Sequence, residues 1–249
     1  MSGRLVIVST PIGNLGDFSE RAARTLEGAD IIACEDTRMT RKLLALSGLT
    51  STAKLVPYHD HNGATMRPRL LADIGDGKIV ALVSDAGTPL ISDPGYKLVA
   101  GCHDHGFTVT AVPGPSAPLA ALTVSGLPSD KFTFAGFLPP TKKACETAIK
   151  DVSDLPMTII WFETPRRLLK SLTLMAAILG PRLTVVAREL TKIHEEVIRA
   201  PLPDLIAMIE QRESIKGEIV VLVDGRQTDD TIFDEVDVKL MLQEELRQR

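Results

Sequence analysis

The chain has 249 residues, of which 44% are hydrophobic and 24% are charged. This composition excludes an intrinsically disordered chain, because apolar residues are abundant enough to build a core, and the length suits one large domain or two small ones. With 28 basic and 32 acidic side chains, the net charge of −4 gives no overall indication of a nucleic-acid partner.

The charge is unevenly distributed along the chain. Residues 130–200 carry 11 basic and 8 acidic side chains, whereas residues 201–249 carry 6 basic and 12 acidic ones. The acidity therefore belongs to the C-terminal fifth. The mildly basic middle permits a phosphate-bearing substrate without requiring one.

Apolar runs and cysteines indicate the compartment. No apolar run in the sequence reaches the ~18 residues that a membrane span needs, and Met1 leads almost directly into a strand-like segment, so we expect a cytoplasmic protein. The three cysteines, Cys34, Cys102 and Cys145, are far apart and show no C-x-x-C spacing. We expect buried thiols rather than disulfides or a zinc site.

The first half of the chain alternates short apolar runs with helical patterns. The predicted strands are 5–9, 31–34, 54–57, 79–84 and 109–112, and the predicted helices are 18–28, 38–47, 64–76, 95–105 and 116–125. Several of these strands are almost continuously apolar, which is typical of a parallel sheet covered on both faces. The alternation predicts a doubly wound α/β domain. We expect Asp93 and Pro94 to open the fourth helix, and Gly106 and Gly126 to end the fourth and fifth.

The pattern changes after residue 113. The predicted strands are 131–138, 158–163, 184–189, 195–199 and 218–224, and the predicted helices are 142–152, 165–178, 202–212 and 235–247. Segments 183–190 and 195–200 are close enough for antiparallel pairing, which predicts a mixed sheet. Because Pro113-Gly114-Pro115 interrupts the pattern, we predict an N-terminal α/β domain over 1–113, a C-terminal α/β domain over 114–249 and a ligand cleft between them.

The loop after the first strand lies where α/β folds bind ligands, and it reads Thr10-Pro-Ile-Gly-Asn-Leu-Gly-Asp17. Gly13 and Gly16 do not form the G-x-G-x-x-G motif, and no P-loop lysine follows. The sequence therefore argues against a nicotinamide-dependent oxidoreductase, although Glu35-Asp36 resembles the ribose-binding acid of such folds.

Polar groups also follow the second, third and fourth strands. Asp36 and Arg38 could activate a polar substrate or simply pair with each other, and Asp85 could hold a ribose hydroxyl or a cationic ligand head. His59 and His61 supply at most two metal ligands with no third partner identifiable, so we predict no metal. A histidine at the ligand edge of a sheet suits substrate orientation or proton acceptance, which we assign to His59.

Later segments add candidate contacts. Ser116 would cap a helix or offer a hydroxyl and free amides to a ligand between the domains. Four basic residues beside strand ends are the candidate phosphate contacts, namely Arg166, Arg167, Arg188 and Lys192. With 1 Trp, 2 Tyr and 7 Phe, the chain has too few aromatic residues for base stacking to dominate RNA recognition.

Eight of these segments occur in an order typical of one family. They are Thr10-Pro-Ile-Gly-Asn-Leu15, Glu35-Asp-Thr-Arg38, His59-Asp-His-Asn62, Ser84-Asp-Ala-Gly-Thr-Pro89, Pro113-Gly-Pro-Ser-Ala117, Gly136-Phe-Leu-Pro139, Ala187-Arg-Glu-Leu-Thr-Lys192 and Lys216-Gly-Glu218. Over about residues 4–225, the chain resembles the tetrapyrrole methylase superfamily, and within it the members that methylate ribosomal RNA.

The resemblance implies S-adenosylmethionine as methyl donor, bound between two α/β domains of a homodimer. It implies 2′-O-methylation of a decoding-centre cytidine in 16S rRNA, presented on the small ribosomal subunit. Donor contacts carried over by motif are Pro11, Ser84, Asp85, Ala86, Gly87, Ser116, Ala117, Phe162, Glu163, Ala187 and Glu218. For the chemistry we predict Asp36 and His59 as candidate bases, with Arg38 and Lys192 holding phosphate or stabilising the developing oxyanion.

Two alternatives share this fold. One is a methylase acting on carbon of a precorrin-type tetrapyrrole, but such relatives carry a more glycine-rich first loop, which favours RNA here. The other is a noncatalytic ribosome-assembly factor that only binds. Family members often continue into a helical, lysine-bearing tail, and we expect the end at Arg249 to affect RNA docking more than chemistry.

Overall fold

A computed structural model describes residues 3–226 of the chain. The predicted helix 235–247 and the acidic residues 229–237 lie outside the described residues. Within them the chain forms two five-stranded sheets, one after the other in sequence. Every strand and helix predicted in this part of the chain is present, with bounds within two residues of those expected.

The first sheet is entirely parallel. It contains β1 (Arg4–Val8), β2 (Ile31–Cys34), β3 (Lys54–Pro57), β4 (Ile79–Val83) and β5 (Thr108–Val112) in the order β3-β2-β4-β1-β5. The connecting helices are α1 (Glu20–Glu27), α2 (Thr37–Leu46), α3 (Gly63–Gly75) and α4 (Tyr96–Asp104). We call this part of the protein the first lobe.

Apolar residues cover both faces of this sheet. On one face Leu5 and Leu82 pack with Leu98 of α4, and on the other Val6 and Ala81 pack with Leu26 of α1. Because β strands alternate sides along their length, strands buried on both faces read as continuous apolar runs. The predicted doubly wound sheet is confirmed.

The strand order places a crevice at one edge of the sheet. β1 and β4 are neighbours, yet the helices that follow them, α1 and α4, pack on opposite faces. The connections after these two strands therefore diverge, which leaves a space outside their carboxyl ends. Open α/β sheets bind ligands at this kind of switch point.

The second sheet is mixed, as predicted. It contains β6 (Phe132–Phe137), β7 (Thr158–Glu163), β8 (Leu183–Arg188), β9 (Glu196–Pro201) and β10 (Ile219–Val223) in the order β6-β7-β10-β8-β9. β6 and β7 are parallel, and the other neighbours, including β8 and β9, are antiparallel. Together with its helices this sheet forms the second lobe.

Helices cover both faces of the second sheet. α6 (Lys142–Lys150), α7 (Pro165–Leu179) and α8 (Leu202–Glu210) pack on one face in a core around Trp161, and α5 (Ala117–Ser125) packs on the other. Because α5 contacts β7, β8 and β10, it belongs to the second lobe. We therefore propose that the two domains divide between residues 113 and 114, as predicted.

Some local expectations need correction. Asp93 does not cap α4, because that helix begins at Tyr96 after Gly95, whose φ is 142°. Gly126 does end α5, in the left-handed conformation, and Gly106, with a φ of 70°, follows the end of α4. The three cysteines are buried free thiols, as expected. Within residues 3–226 no helix is both long and apolar enough to cross a membrane.

Candidate active site

A cavity of about 490 Å³ lies between the two lobes, at the switch point of the first sheet. This volume is within the usual range for small-molecule sites. Its lining residues are Ile12, Glu35, Asp85, Ala86, Gly87, Thr88, Ile91, Ser92, Asp93, Ser116, Ala117, Pro118, Phe137, Phe162, Glu163, Thr164, Pro165, Leu190, Gly217, Glu218, Ile219 and Val220.

The segment after β4 forms the first-lobe wall. Gly87 and Thr10 exchange backbone hydrogen bonds of 2.9 and 3.1 Å, which ties this segment to the loop after β1. Gly87 has a φ of 80°, and a Cβ there would lie 3.3 Å from Ile12 Cγ2. The Thr88 hydroxyl donates to the Pro115 carbonyl at 2.9 Å, so three segments meet at the cavity.

One part of the cavity wall is apolar and aromatic. The ring of Phe162 contacts those of Phe134 and Phe137, with centroids 4.9 and 5.1 Å apart. Ile12 of the first lobe and Leu190 of the second belong to the same apolar cluster as Phe162. Such a surface suits a planar ring system.

The rest of the wall is acidic. Five acidic residues line the cavity, namely Glu35, Asp85, Asp93, Glu163 and Glu218, whereas no lysine or arginine of the described residues does so. Burial, reinforced by neighbouring acids, raises the pKa of Glu35, of Asp85 and of Asp93. The wall therefore favours cations and hydroxyl donors and disfavours phosphates.

Glu163 is already fully engaged by the protein. Its side chain is 0% exposed, and it accepts from Arg167 Nη2 at 2.7 Å, from Ser171 Oγ at 2.5 Å and from the Thr164 amide at 2.7 Å. Arg167 also donates to the Leu138 carbonyl at 2.9 Å. The predicted phosphate contact at Arg167 is therefore corrected, since its guanidinium is the counterion of a buried acid.

Asp36 and Arg38 lie at the β2 end but not in the cavity lining. Asp36 accepts from the Arg38 amide at 2.8 Å and from its Nη2 at 2.6 Å, which lowers the pKa of Asp36 to about 2. The pair satisfies itself, one of the two alternatives left open by the sequence. A carboxylate with so low a pKa is a weak proton acceptor. The amide of Asp36 donates to Asp85 Oδ1 at 3.1 Å and so holds Asp85 in the wall.

His59 follows β3, the outermost strand of the first sheet, and does not line the cavity. Its backbone amide donates to Asn62 Oδ1 at 2.9 Å, while its ring Nδ1 is buried without a hydrogen-bond partner in the described structure. The rings of His59 and His61 are 6.0 Å apart. Among residues 3–226, no three His, Cys, Asp or Glu side chains cluster as metal ligands.

The other predicted phosphate contacts differ in their surroundings. Arg188 pairs with Glu196 at 3.2 Å, and Lys192 pairs with Glu189 at 2.8 Å and with Glu218 at 3.1 Å. Both are thus internal ion pairs rather than free cations. Arg166, in the first turn of α7, is exposed and forms no ion pair within the described part of the chain.

The predicted donor contacts fall into two groups. Those that line the cavity are Asp85, Ala86, Gly87, Ser116, Ala117, Phe162, Glu163 and Glu218. Pro11, Ser84 and Ala187 do not. Ser84 is buried directly after β4, and Ala187 is 0% exposed with both edges paired inside the sheet.

Glu35 was not among the residues predicted for the chemistry. From the pair Glu35-Asp36 the sequence predicted Asp36 as a candidate base, yet Glu35 is the member that lines the cavity. Adjacent residues at a strand end point to opposite sides, so only one of two neighbouring acids can face the crevice. The capping preference of aspartate before Thr37-Arg38 was the available signal, because Asp36 is the N-cap of α2.

Comparison with known proteins gives the family. The sequence model described as tetrapyrrole (corrin/porphyrin) methylases matches residues 4–206. The chain belongs to the tetrapyrrole methylase family. The resemblance stated from the motifs is thereby confirmed.

Within the tetrapyrrole methylase family, similar curated relatives carry the name ribosomal RNA small subunit methyltransferase I. The protein of that name from Mesorhizobium japonicum is 50% identical over 220 residues, covering 88% of this chain and 74% of the relative. The one from Escherichia coli O157:H7 is 46% identical over 248 residues, covering 98% of this chain and 86% of the relative.

Two solved structures of other proteins share the fold. Uroporphyrin-III C-methyltransferase from Thermus thermophilus, complexed with S-adenosyl homocysteine, matches with a TM-score of 0.59 and 21% identity, covering 90% of this chain and 98% of that one. Diphthine synthase matches with a TM-score of 0.68 and 15% identity, covering 90% of each chain.

Proposed function

We propose that this protein transfers a methyl group from S-adenosylmethionine to a ribose 2′-hydroxyl of a decoding-centre cytidine in 16S rRNA, on the small ribosomal subunit. The observation that carries the proposal is the cavity, which is acidic and apolar and has no cation in its described lining. The relatives named as small-subunit rRNA methyltransferases support the choice of substrate.

The cavity suits the chemistry of the proposed donor. S-adenosylmethionine combines a planar base and a ribose with a sulfonium, an ammonium and a carboxylate, and it has no phosphate. Phe162, Ile12 and Leu190 would contact the base, and the carboxylates of Asp85 and Asp93 would accept from hydroxyls or ammonium. The solved relative that contains S-adenosyl homocysteine supports the same class of ligand.

The donor supplies a methyl group already activated by its sulfonium, so the chain's own residues must orient the ribose and accept its proton. Orientation alone contributes up to ~7–11 kcal/mol in the best intramolecular models. A positioned base adds roughly 10²–10⁴-fold. We propose Glu35 as that base, because it lines the cavity and its pKa is raised. The earlier predictions, Asp36 and His59, are tested beside it.

RNA phosphates must be held outside the acidic cavity. Arg166 follows directly after Pro165, a lining residue, and on the first-lobe side Arg38, Arg41 and Lys42 are exposed on α2. Arg38 keeps its charge beside Asp36 in an exposed position and stays a candidate phosphate contact. We propose that these cations hold the RNA backbone while the target ribose enters between the lobes.

We also propose a homodimer in the cytoplasm. A second groove of about 390 Å³ lies beside β5, an edge strand of the first sheet, and Ile91, Leu119 and Phe132 line it. These three side chains are 39–49% exposed, which is unusual for large apolar residues that share one groove. A second copy covering this groove would bury them. Sedimentation analysis of the purified chain tests the dimer.

The proposed reaction is tested by mapping ribose methylation on small subunits from cells that lack this protein, before and after incubation with it and the donor. We expect one new 2′-O-methyl cytidine in the decoding region. Label transferred instead to a precorrin-type tetrapyrrole would establish the carbon methylase. Subunit binding without any methylated product would establish the assembly factor.

A further inference from the structure

Two loops that the proposed chemistry leaves unexplained meet across the lobes. One comprises residues 12–17 after β1, and the other comprises residues 189–192 after β8. We propose that they form an interlobe clasp that sets the spacing of the cavity walls, in which Thr191 and Lys192 are positioning residues. The proposal rests on the proposed function insofar as the cavity is the donor site.

Hydrogen bonds join the two loops directly. Asn14 Nδ2 donates to the Thr191 carbonyl at 3.1 Å, and the Thr191 hydroxyl donates to the Asp17 carboxylate. Asn14 Oδ1 also accepts from the Gly16 amide at 2.9 Å, which shapes the 3₁₀ turn that carries Asp17. A side-chain amide, a carboxylate and a hydroxyl thus connect the lobes at one point.

Steric fit adds to these bonds. Gly13 has a φ of 137°, and a Cβ there would come under 3.0 Å from three carbons of the Lys192 side chain. The Lys192 stem therefore lies against bare backbone, which only glycine permits. Its Nζ bridges Glu189 at 2.8 Å and Glu218 at 3.1 Å, and Glu218 lines the cavity.

The second loop holds a strained backbone. Glu189 and Thr191 have φ values of 50° and 65°, although neither is glycine. Such conformations persist only where surrounding contacts fix them. The Thr191 amide donates to Glu195, and the Glu218 amide donates to Glu189 Oε1 at 3.0 Å, so contacts on both sides supply that restraint.

The clasp lies next to the cavity walls. Ile12 precedes Gly13 in the first loop, Leu190 lies between Glu189 and Thr191 in the second, and both line the cavity and share one apolar cluster. A change in how the loops meet would alter the separation of Ile12 and Leu190. Donor affinity should therefore depend on Thr191 and Lys192, although neither lines the cavity itself.

The experiment measures the Kd of S-adenosylmethionine and of S-adenosylhomocysteine by calorimetry on the full chain, well below the unfolding temperature. Thr191→Val keeps the β-branched shape at the same φ but removes the hydroxyl, and we expect binding of both ligands to weaken by about tenfold. Thr191→Ser keeps the hydroxyl and should bind within about twofold of wild type. Asp17→Asn combined with Thr191→Val should be little worse than Thr191→Val alone, because the two residues share one contact.

Two variants of Lys192 distinguish a positioning role from a contact with RNA phosphate. Lys192→Met keeps the stem over Gly13, whereas Lys192→Ala removes it, so we expect Lys192→Ala to weaken donor binding more than Lys192→Met. With donor saturating, both variants should bind small subunits like wild type. Equal donor binding by both variants with weakened subunit binding would overturn the proposal and restore Lys192 as a phosphate ligand.

The outcomes distinguish the two proposals. Wild-type protein that binds neither ligand would refute the donor site itself. Wild-type protein that binds, with Thr191→Val binding equally well, would refute the clasp alone. A purely structural role predicts that Thr191→Val lowers the melting temperature with donor Kd unchanged, and that result also counts against the clasp.

Discussion

Two neighbouring acids at the end of β2 have different environments. Asp36 caps α2 and pairs with Arg38, which lowers its pKa to about 2. Glu35 faces the cavity, where burial and then Asp85 and Asp93 raise its pKa. Divergent environments of this kind separate a structural carboxylate from one suited to proton transfer. The sequence shows both acids but cannot show which one points into the crevice.

Glu35→Gln tests the proposed base. We expect the rate at saturating RNA and donor to fall by roughly 10²–10⁴-fold, because the proton acceptor is lost. In the wild type, that rate should fall as the pH drops through the raised pKa of Glu35, and Glu35→Gln should lose this dependence. Single-turnover rates across pH measure both.

Thermal unfolding gives an independent readout of Glu35→Gln. A carboxyl whose folded pKa is raised destabilises the fold when it is ionised, so the variant should melt at a higher temperature than the wild type at pH 7. This increase in melting temperature should vanish below the unfolded pKa of about 4.3, where the carboxyl is protonated in both the folded and the unfolded state.

If Asp36→Asn or His59→Ala loses the methylation rate while Glu35→Gln keeps it, the assignment of Glu35 as the base is wrong.

Two adjacent arginines on α7 allow a matched comparison of how a paired and an exposed cation contribute to the free energy of unfolding. Arg167 is the counterion of buried Glu163, so Arg167→Ala should cost about 3–5 kcal/mol in the free energy of unfolding. Arg166 is exposed, and Arg166→Ala should change it by no more than about 0.5 kcal/mol. Urea denaturation measures both. Glu163→Gln with Arg167→Met should cost less than Arg167→Ala alone, since no buried charge is left unpaired.

At the scale of elements, the sequence predicted most of the fold because buried strands and helices have recognisable patterns of apolar residues. β4 and β10 are almost wholly buried, so their continuous apolar runs identify them without reference to the rest of the chain. The N-cap predicted for α4, Asp93, was wrong for a reason that the local sequence does not show. Asp93-Pro94 has the composition of a helix start, but the helix begins after Gly95, which packs against Leu90 and against Leu82 of β4.

Gly95→Ala tests how the segment after β4 is fixed. A Cβ at Gly95 would lie 2.8 Å from Leu82 Cδ2 at a φ of 142°, so the variant suffers both backbone strain and overpacking. Gly106→Ala is the control, because Gly106 has a φ of 70° and no atom of residues 3–226 beyond its chain neighbours would lie within 4 Å of a Cβ there. We expect Gly95→Ala to lower the free energy of unfolding by about 1–3 kcal/mol more than Gly106→Ala, the usual cost of overpacking. Equal losses, measured by urea denaturation, would contradict the packing argument.

At the scale of the whole molecule, charges of opposite sign are separated. The described cavity lining is acidic, whereas exposed cations lie on α2 and α7 outside it. The net charge of −4 does not indicate this arrangement, because it does not depend on where the charged residues lie in the fold. The sequence likewise could not distinguish Arg166 from Arg167, since their different partners are set by how β7 meets α7. Such a separation admits a neutral ribose to the cavity and keeps phosphates at its rim.

Salt dependence tests this separation of charges. Each phosphate contact on single-stranded RNA contributes about −0.7 to the slope of log K against log salt, so Arg166→Ala should make the slope for small-subunit binding shallower by about that amount. Lys150→Ala is the control, because Lys150 is exposed at the far end of α6 and should leave the slope unchanged. The donor Kd should be the same in both variants, since neither Arg166 nor Lys150 lines the cavity. An unchanged slope in Arg166→Ala would mean that Arg166 contacts no phosphate of the RNA, and would contradict the proposed separation of charges.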